Sequence, residues 1–237
     1  TDMVGTPTEQ IDPEAAQFVK CRGMRFPKHK DIIQGRLRRL LRTQGYEKKE
    51  TECALRTVRE GDTVIELGAG IGYMSTLVAS KRKIKSVHAF EANPLLIPYI
   101  QKVHAANGLT NAHVVHGILG PRKGTADFYV RDNLLASSLS LMPDEADRPG
   151  TKVPVHNAKQ VFRDIKPNVL ICDIEGAEAD LIPHLDLSNL RAAIIEMHPQ
   201  WIGTSGVNKI FQCFMDAGLA YYHRGSMNKV VTFRDRW

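Results

Sequence analysis

From Asp62 onward, short β-branched apolar runs alternate with stretches whose apolar residues recur at helical spacing, the pattern of a mostly parallel sheet covered by helices on both faces. Thr63–Leu67 (TVIEL) reads as the first strand, followed by a helix over about 72–80. Residues 86–90 (SVHAF) and Ala112–His116 (AHVVH) read as the second and third strands. Between them, Asn93 is expected to cap a helix with Pro94 at its first position, ending near Asn107-Gly108. Residues 168–172 (NVLIC) and 192–197 (AAIIEM) are the fourth and fifth strands, with a helix over about 176–182 between them. A last helix, with Val207, Ile210, Phe211, Phe214 and Met215 on its apolar side, precedes Gly218. Residues 219–223 and 229–233 flank a turn and read as an antiparallel hairpin at the sheet edge. The stretch 117–157 is less regular, with an alternating piece at 125–130, a serine-rich turn at 136–140 and breaks at Pro143, Pro149 and Pro154. It reads as an insertion over the edge where a site would lie. The fold class expected is a doubly wound α/β sheet with an antiparallel C-terminal hairpin.

Composition adds an asymmetry. With 237 residues and 43% hydrophobic content, the chain can bury a full core without disulfides or metals. Residues 20–49 hold eleven Lys/Arg against Asp31 and Glu47, a local charge of +9 in a chain of net +6. There Ile33, Leu37, Leu40 and Leu41 recur at helical spacing while Arg36, Arg38, Arg39 and Arg42 take other faces, a basic amphipathic helix. The organisation expected is a basic helical segment over 1–44 packing on one domain over 45–237. A solvated cationic face is the plainer reading of that helix; nucleic acid is disfavoured because no aromatic residues interleave with its arginines. Cys21, Cys53, Cys172 and Cys213 are far apart, which fits neither a zinc site nor a disulfide framework and suggests a reducing cytoplasm. No apolar run reaches the roughly 20 residues of a bilayer-spanning helix. A homo-oligomer is left open.

The sharpest chemical signal is Glu66-Leu67-Gly68-Ala69-Gly70-Ile71-Gly72, where the first strand meets its helix. Glycines there let a ligand approach the backbone. The dinucleotide spacing would need glycine at position 73, which is Tyr73. The GxGxG spacing suits S-adenosylmethionine, and Glu66 suits its cationic amino-acid end, whereas a pyrophosphate would be repelled. Glu91, at the end of the second strand, is placed to accept hydrogen bonds from ribose hydroxyls, or instead from nearby backbone N–H groups. Ala92 follows it, and Gly117-Ile118 after the third strand are expected to border an adenine ring.

The fourth strand runs into Asp173-Ile174-Glu175-Gly176-Ala177-Glu178, a hexapeptide that resembles the hallmark of FkbM-type methyltransferases. Gly45-Tyr46-Glu47, Ala136-Ser137-Ser138-Leu139 and Ile194-Ile195-Glu196-Met197-His198 resemble further motifs of that family, and the likeness extends over roughly 45–200. The chain departs from the pattern in its ELGAGIG loop and at His156-Asn157-Ala158. The resemblance implies a seven-stranded Rossmann-like methyltransferase sheet, S-adenosylmethionine as donor with S-adenosylhomocysteine as product, and transfer to an oxygen, commonly of a sugar or related small molecule. Cofactor contacts are then expected from Tyr46, Glu47, Glu66, Gly68, Ala69, Gly70, Gly72, Glu91, Ala92, Gly117, Ile118 and Asp173. A hydroxyl acceptor needs a base or a metal to help remove its proton. Asp173, Glu175, Glu196 and His198, at the carboxyl ends of strands four and five, are the expected catalytic residues. Glu178 reads as a carboxylate complementing a helix dipole. Ser137, Ser138 and Ser140 read either as acceptor contacts or as a turn. No metal is expected, because Asp173, Glu175 and Glu178 lack an evident fourth ligand. The competing readings are an NAD-linked dehydrogenase, a nucleic-acid methyltransferase and a non-catalytic cofactor-binding module.

Overall fold

The computed structural model describes residues 17–129 and 150–236, and the chain divides into two compact units between Tyr46 and Glu47. In the first unit, β1 (Phe18–Cys21) and β2 (Met24–Pro27) form an antiparallel hairpin. Its two-residue turn, Arg22-Gly23, has both residues at positive φ, the geometry that matches strand twist in a tight hairpin. Val19, Cys21, Met24 and Phe26 are buried at period two, a pattern hidden in the sequence by the intervening lysines and arginines. The basic helix follows as α1 (Gly35–Arg42), with Leu41 buried and Arg36, Arg39 and Arg42 exposed.

The second unit opens with α2 (Lys48–Thr57) and continues through β3 (Thr63–Leu67), α3 (Tyr73–Lys81), β4 (Ser86–Glu91), α4 (Ile97–Ala106) and β5 (Ala112–His116). Three short strands follow: β6 (Ile118–Gly120), β7 (Gly124–Phe128) and β8 (Thr151–Asn157). Then come α5 (Ala158–Ile165), β9 (Val169–Cys172), α6 (Glu178–Leu181), β10 (Ala192–Glu196), α7 (Pro199–Asp216), β11 (Ala220–Tyr221) and β12 (Val230–Arg234). The main sheet has seven strands in the order β11-β12-β10-β9-β3-β4-β5, and β12 alone runs against the rest. Every residue of β9 is buried, as expected of a central strand covered on both faces. Leu170 and Ile195 join Phe162, Ile210, Phe214 and Phe233 in the core. Leu67 pairs with Phe90 on one side and Cys172 on the other, and Cys172 pairs with Ile195. Four strands therefore end abreast, and Gly68, Glu91, Asp173 and Glu196 emerge at one edge.

Several local expectations need correction. Asn93 does not cap the following helix: its Oδ1 accepts from the Leu95 N–H and its carbonyl from the Leu96 N–H. That turn consumes one more loop before α4 begins, with Pro98 in its first turn. The insertion is more regular than its prolines suggest, since β6, β8 and β7 pair in that order into a separate small sheet. Asn157 caps α5 by accepting from the Gln160 N–H at 2.9 Å, a helix the sequence pattern did not suggest. Met215 lies on the outer face of α7, 60% exposed, while Ile210 and Phe214 face the core. The serine-rich turn at 136–140 lies outside the described residues.

Candidate functional site

The glycine loop follows β3 because the adjacent strand end leaves no room for a side chain. At Gly68, φ is +85° and a Cβ would fall 1.8 Å from the Asp173 carbonyl oxygen. The Gly68 and Ala69 N–H groups both donate to the Phe90 carbonyl, at 3.0 and 3.1 Å, which draws the loop over the end of β4. At Gly72, which begins α3 at φ +74°, a Cβ would sit 2.8 Å from Ile100 Cγ2 of α4.

Two carboxylates lie beneath this loop. Glu66 is 2% exposed, and its Oε2 has no hydrogen-bond partner among the described residues. Burial pushes its pKa up to about 8; the neighbouring Glu91 and Asp173 charges add to the rise and hydrogen bonds from Ser75 oppose it. Glu91 is tied into the frame. Its Oε2 accepts from the Gly70 N–H at 2.8 Å and its Oε1 from the Asn93 N–H at 2.7 Å. Burial raises its pKa against those backbone hydrogen bonds. The backbone-bonding alternative for Glu91 is therefore realised. His116 Nε2 lies 3.1 Å from the Ala92 carbonyl, and the Gly117 N–H donates to the Glu91 carbonyl at 2.8 Å. Gly117 and Ile118 thus border the same edge, where His156 Nε2 also reaches the His116 carbonyl at 3.0 Å.

The second cluster gathers at the ends of β9 and β10. The Asp173 N–H donates to the Leu67 carbonyl, then the chain turns through Glu175 (φ +52°) and Gly176 (φ +101°) into α6. Glu178 is 0% exposed. Its Oε1 accepts from the Gly176 N–H at 3.1 Å and lies 2.8 Å from His198 Nδ1. Since a carboxylate can only accept, Nδ1 carries a proton in this contact, and in the neutral imidazole the lone pair sits on Nε2. That nitrogen is 3.4 Å from Glu175 Oε2, 3.7 Å from Asp173 Oδ1 and 3.9 Å from Glu196 Oε1. Burial lowers the His198 pKa, but the Glu178 hydrogen bond and charge, with Asp173 and Glu175, reverse this and leave it raised. The Asp173 side chain is 38% exposed, yet its Oδ1 is buried with no hydrogen-bond partner among the described residues. Burial of that oxygen, then Glu196, Glu175 and Glu47, hold its pKa well above the usual range, with His198 opposing.

The expected catalytic set, Asp173, Glu175, Glu196 and His198, therefore converges, and Glu47, at the start of α2, acts on it electrostatically. Tyr46 belongs to the first unit. Glu178 lies in the first turn of α6, where a carboxylate complements the helix dipole, and its burial and its bond to His198 add a second role. The missed residue is Lys229, whose Nζ lies 2.7 Å from Glu196 Oε1. A lysine beside a turn carries no sequence signal, and only the antiparallel pairing of β10 with β12 brings it there. Donor atoms of Asp173, Glu196 and His198 lie within 4.8 Å of one another. Among the described residues three buried carboxylate oxygens lack a hydrogen-bond partner, on Glu66, Asp173 and Glu178; the first two, nearest the glycine loop, fit the cationic amino-acid end of S-adenosylmethionine.

The family model for the methyltransferase FkbM domain matches residues 66–218. The ribosomal protein L11 methyltransferase of Bacillus cereus is 31% identical over 99 residues, covering 39% of this chain and 30% of that protein. The chain thus matches less than a third of that relative's length. Trm5b from Pyrococcus abyssi superposes with a TM-score of 0.51 at 15% identity, covering 92% of this chain and 55% of that one, a likeness of fold. With the glycine loop, the strand order and the match over 66–218, the chain belongs to the FkbM methyltransferase-domain family, built on a Rossmann-like sheet.

Proposed function

We propose that the chain methylates a hydroxyl oxygen of a sugar or related small molecule. The observation that carries this reading is the convergence of Asp173, Glu175, Glu196 and His198 at the strand edge beside Gly68. An aliphatic hydroxyl is a weak nucleophile at neutral pH and needs an adjacent group to take its proton. This edge supplies carboxylates and an imidazole, whereas the Asn-Pro-Pro-Tyr type of motif used for amino acceptors is replaced by Asp173-Ile174-Glu175-Gly176.

S-adenosylmethionine supplies an electrophilic methyl group on a sulfonium. Glu66 and Asp173 would hold its cationic end, Glu91 its ribose, and Gly117 and Ile118 would border its adenine, with Gly68, Ala69, Gly70, Gly72 and Ala92 forming the wall and Glu47 contributing from the start of α2. Glu175 and Glu196 orient the acceptor hydroxyl, and His198 or one of the carboxylates accepts its proton. Displacement at the methyl carbon requires a near-collinear approach at about 3 Å, so positioning by these side chains accounts for much of the rate.

The test pairs calorimetry with turnover. S-adenosylmethionine and S-adenosylhomocysteine should bind, NAD should not, and Glu91→Ala should weaken both complexes. In a panel of hydroxylated glycans, Glu196→Ala and His198→Ala should lower kcat at least tenfold with donor affinity little changed. Normal turnover by both variants would refute this placement of the site. A nucleic-acid acceptor is a second reading, favoured by the exposed Arg36, Arg39 and Arg42; RNA binding that falls steeply with salt would support it.

A further inference from the structure

We propose that Asp173 Oδ1, Glu196 Oε1 and His198 Nε2 form a binding site for a divalent cation. The sequence suggested no metal, because it offers carboxylates at 173, 175 and 178 along one segment without a further ligand. The fold changes the set: it removes Glu178 to the interior and brings Glu196, the last residue of β10, and His198, just before α7, to face Asp173 at the end of β9.

Three observations point to a cation rather than to a chance gathering of acids. The first is the spacing: Nε2 stands 3.7 Å from Asp173 Oδ1 and 3.9 Å from Glu196 Oε1. Ligands around a cation bound at about 2.0–2.3 Å lie roughly 3–3.5 Å apart, so small side-chain shifts close the site. The second is the imidazole. His198 is 2% exposed, its Nδ1–H is engaged by the wholly buried Glu178, and its Nε2 is aimed at the cluster without a bond of ordinary hydrogen-bond length. A buried carboxylate behind the far nitrogen is the outer-shell arrangement that orients metal-ligating histidines. The third is Asp173 Oδ1, buried and without a hydrogen-bond partner among the described residues; as a metal ligand it would leave Oδ2 for the donor's ammonium.

Charge agrees with this reading. Asp173, Glu175 and Glu196 face His198, while Lys229, itself half-exposed, pairs directly with Glu196 and acts on Asp173 and Glu175 through space. Mixed carboxylate and imidazole ligands suit Mn²⁺ better than Ca²⁺, with Mg²⁺ as the weaker alternative. Three protein ligands leave positions open, as in catalytic rather than structural sites. This role in turnover rests on the hydroxyl-acceptor reading. A bound cation would supply Lewis-acid polarisation of an acceptor hydroxyl, and Glu175, the most exposed of these carboxylates, would take the proton that it releases.

Binding can be measured without donor or acceptor, which separates this proposal from the functional one. Chelator-treated full-length protein is titrated with Mn²⁺ and the free ion followed by electron paramagnetic resonance. The expected result is one saturable site per chain, weakened at least tenfold by Asp173→Asn and by Glu196→Gln, and tightened severalfold by Lys229→Met, which removes the competing ammonium. Thermal unfolding of each variant without metal checks that it is folded, and Mn²⁺ should raise the Tm of the wild type but not of Asp173→Asn. No saturable binding by the wild type up to millimolar Mn²⁺, or equal binding by folded Asp173→Asn and Glu196→Gln, overturns the site.

Discussion

Glu66 holds a carboxyl group where water cannot reach it, with Ser75, Glu91 and Asp173 as its polar neighbours. Its pKa in the folded chain is about 8 against an ordinary 4.5, so its contribution to stability is full below about 4.5 and is lost as the pH rises through 8. A cation placed beside it favours the ionised form. Donor binding at pH 7 should therefore expel protons, and affinity should rise with pH across 6 to 7.5. Calorimetry in two buffers of different ionisation enthalpy measures the release, which should be smaller in Glu66→Gln; unchanged release would remove Glu66 from the ammonium site. The residues that bear this chemistry were legible in the sequence because they follow strand ends, and strand ends in a parallel sheet share one edge. Glu178 and Lys229 were not, because their meaning depends on what the fold sets against them: a buried imidazole for one, a neighbouring carboxylate for the other.

Among the elements, the strands of the main sheet were readable because buried parallel strands are short, β-branched and bounded by polar turns. The hairpin of β1 and β2 was masked by its charged outer positions, and α5 by the prolines that precede it. At the end opposite the site, Arg191, just before β10, holds Asp62, just before β3, and so spans β9 between them. Arg191 Nε donates to Asp62 Oδ1 at 2.9 Å, its Nη2 donates to Asp62 Oδ2 and to the Thr57 carbonyl, and the Arg59 N–H donates to Asp62 Oδ2. Breaking a buried pair leaves an uncompensated charge, at a cost of about 3–5 kcal/mol. Arg191→Leu should approach that loss in urea unfolding, whereas Lys152→Ala, which removes an exposed partner of Asp127, should cost less than about 1 kcal/mol. Similar values for the two would show that the pair does not clamp the sheet.

For the whole molecule, the residues of the core cluster around Leu170 and Ile195 all belong to the second unit, while most of the basic segment over 20–49 belongs to the first. We expect residues 47–237 expressed alone to unfold cooperatively, in a single transition seen equally by circular dichroism and fluorescence; a gradual loss of signal would mean that the first unit is needed for the fold. All four cysteines are free, and Cys21, Cys53 and Cys172 are buried. Burial holds the Cys53 thiol at about 11 and lifts Cys172 further from its ionised form. Alkylating reagents require the thiolate, so these thiols are silent in the folded chain and speak only when a segment opens. Cys172 ends the central strand, one residue before Asp173, which makes its alkylation rate a clock for opening at that edge. A molecule that slows the clock has engaged the site, and acceptors can be sought by protection in place of turnover.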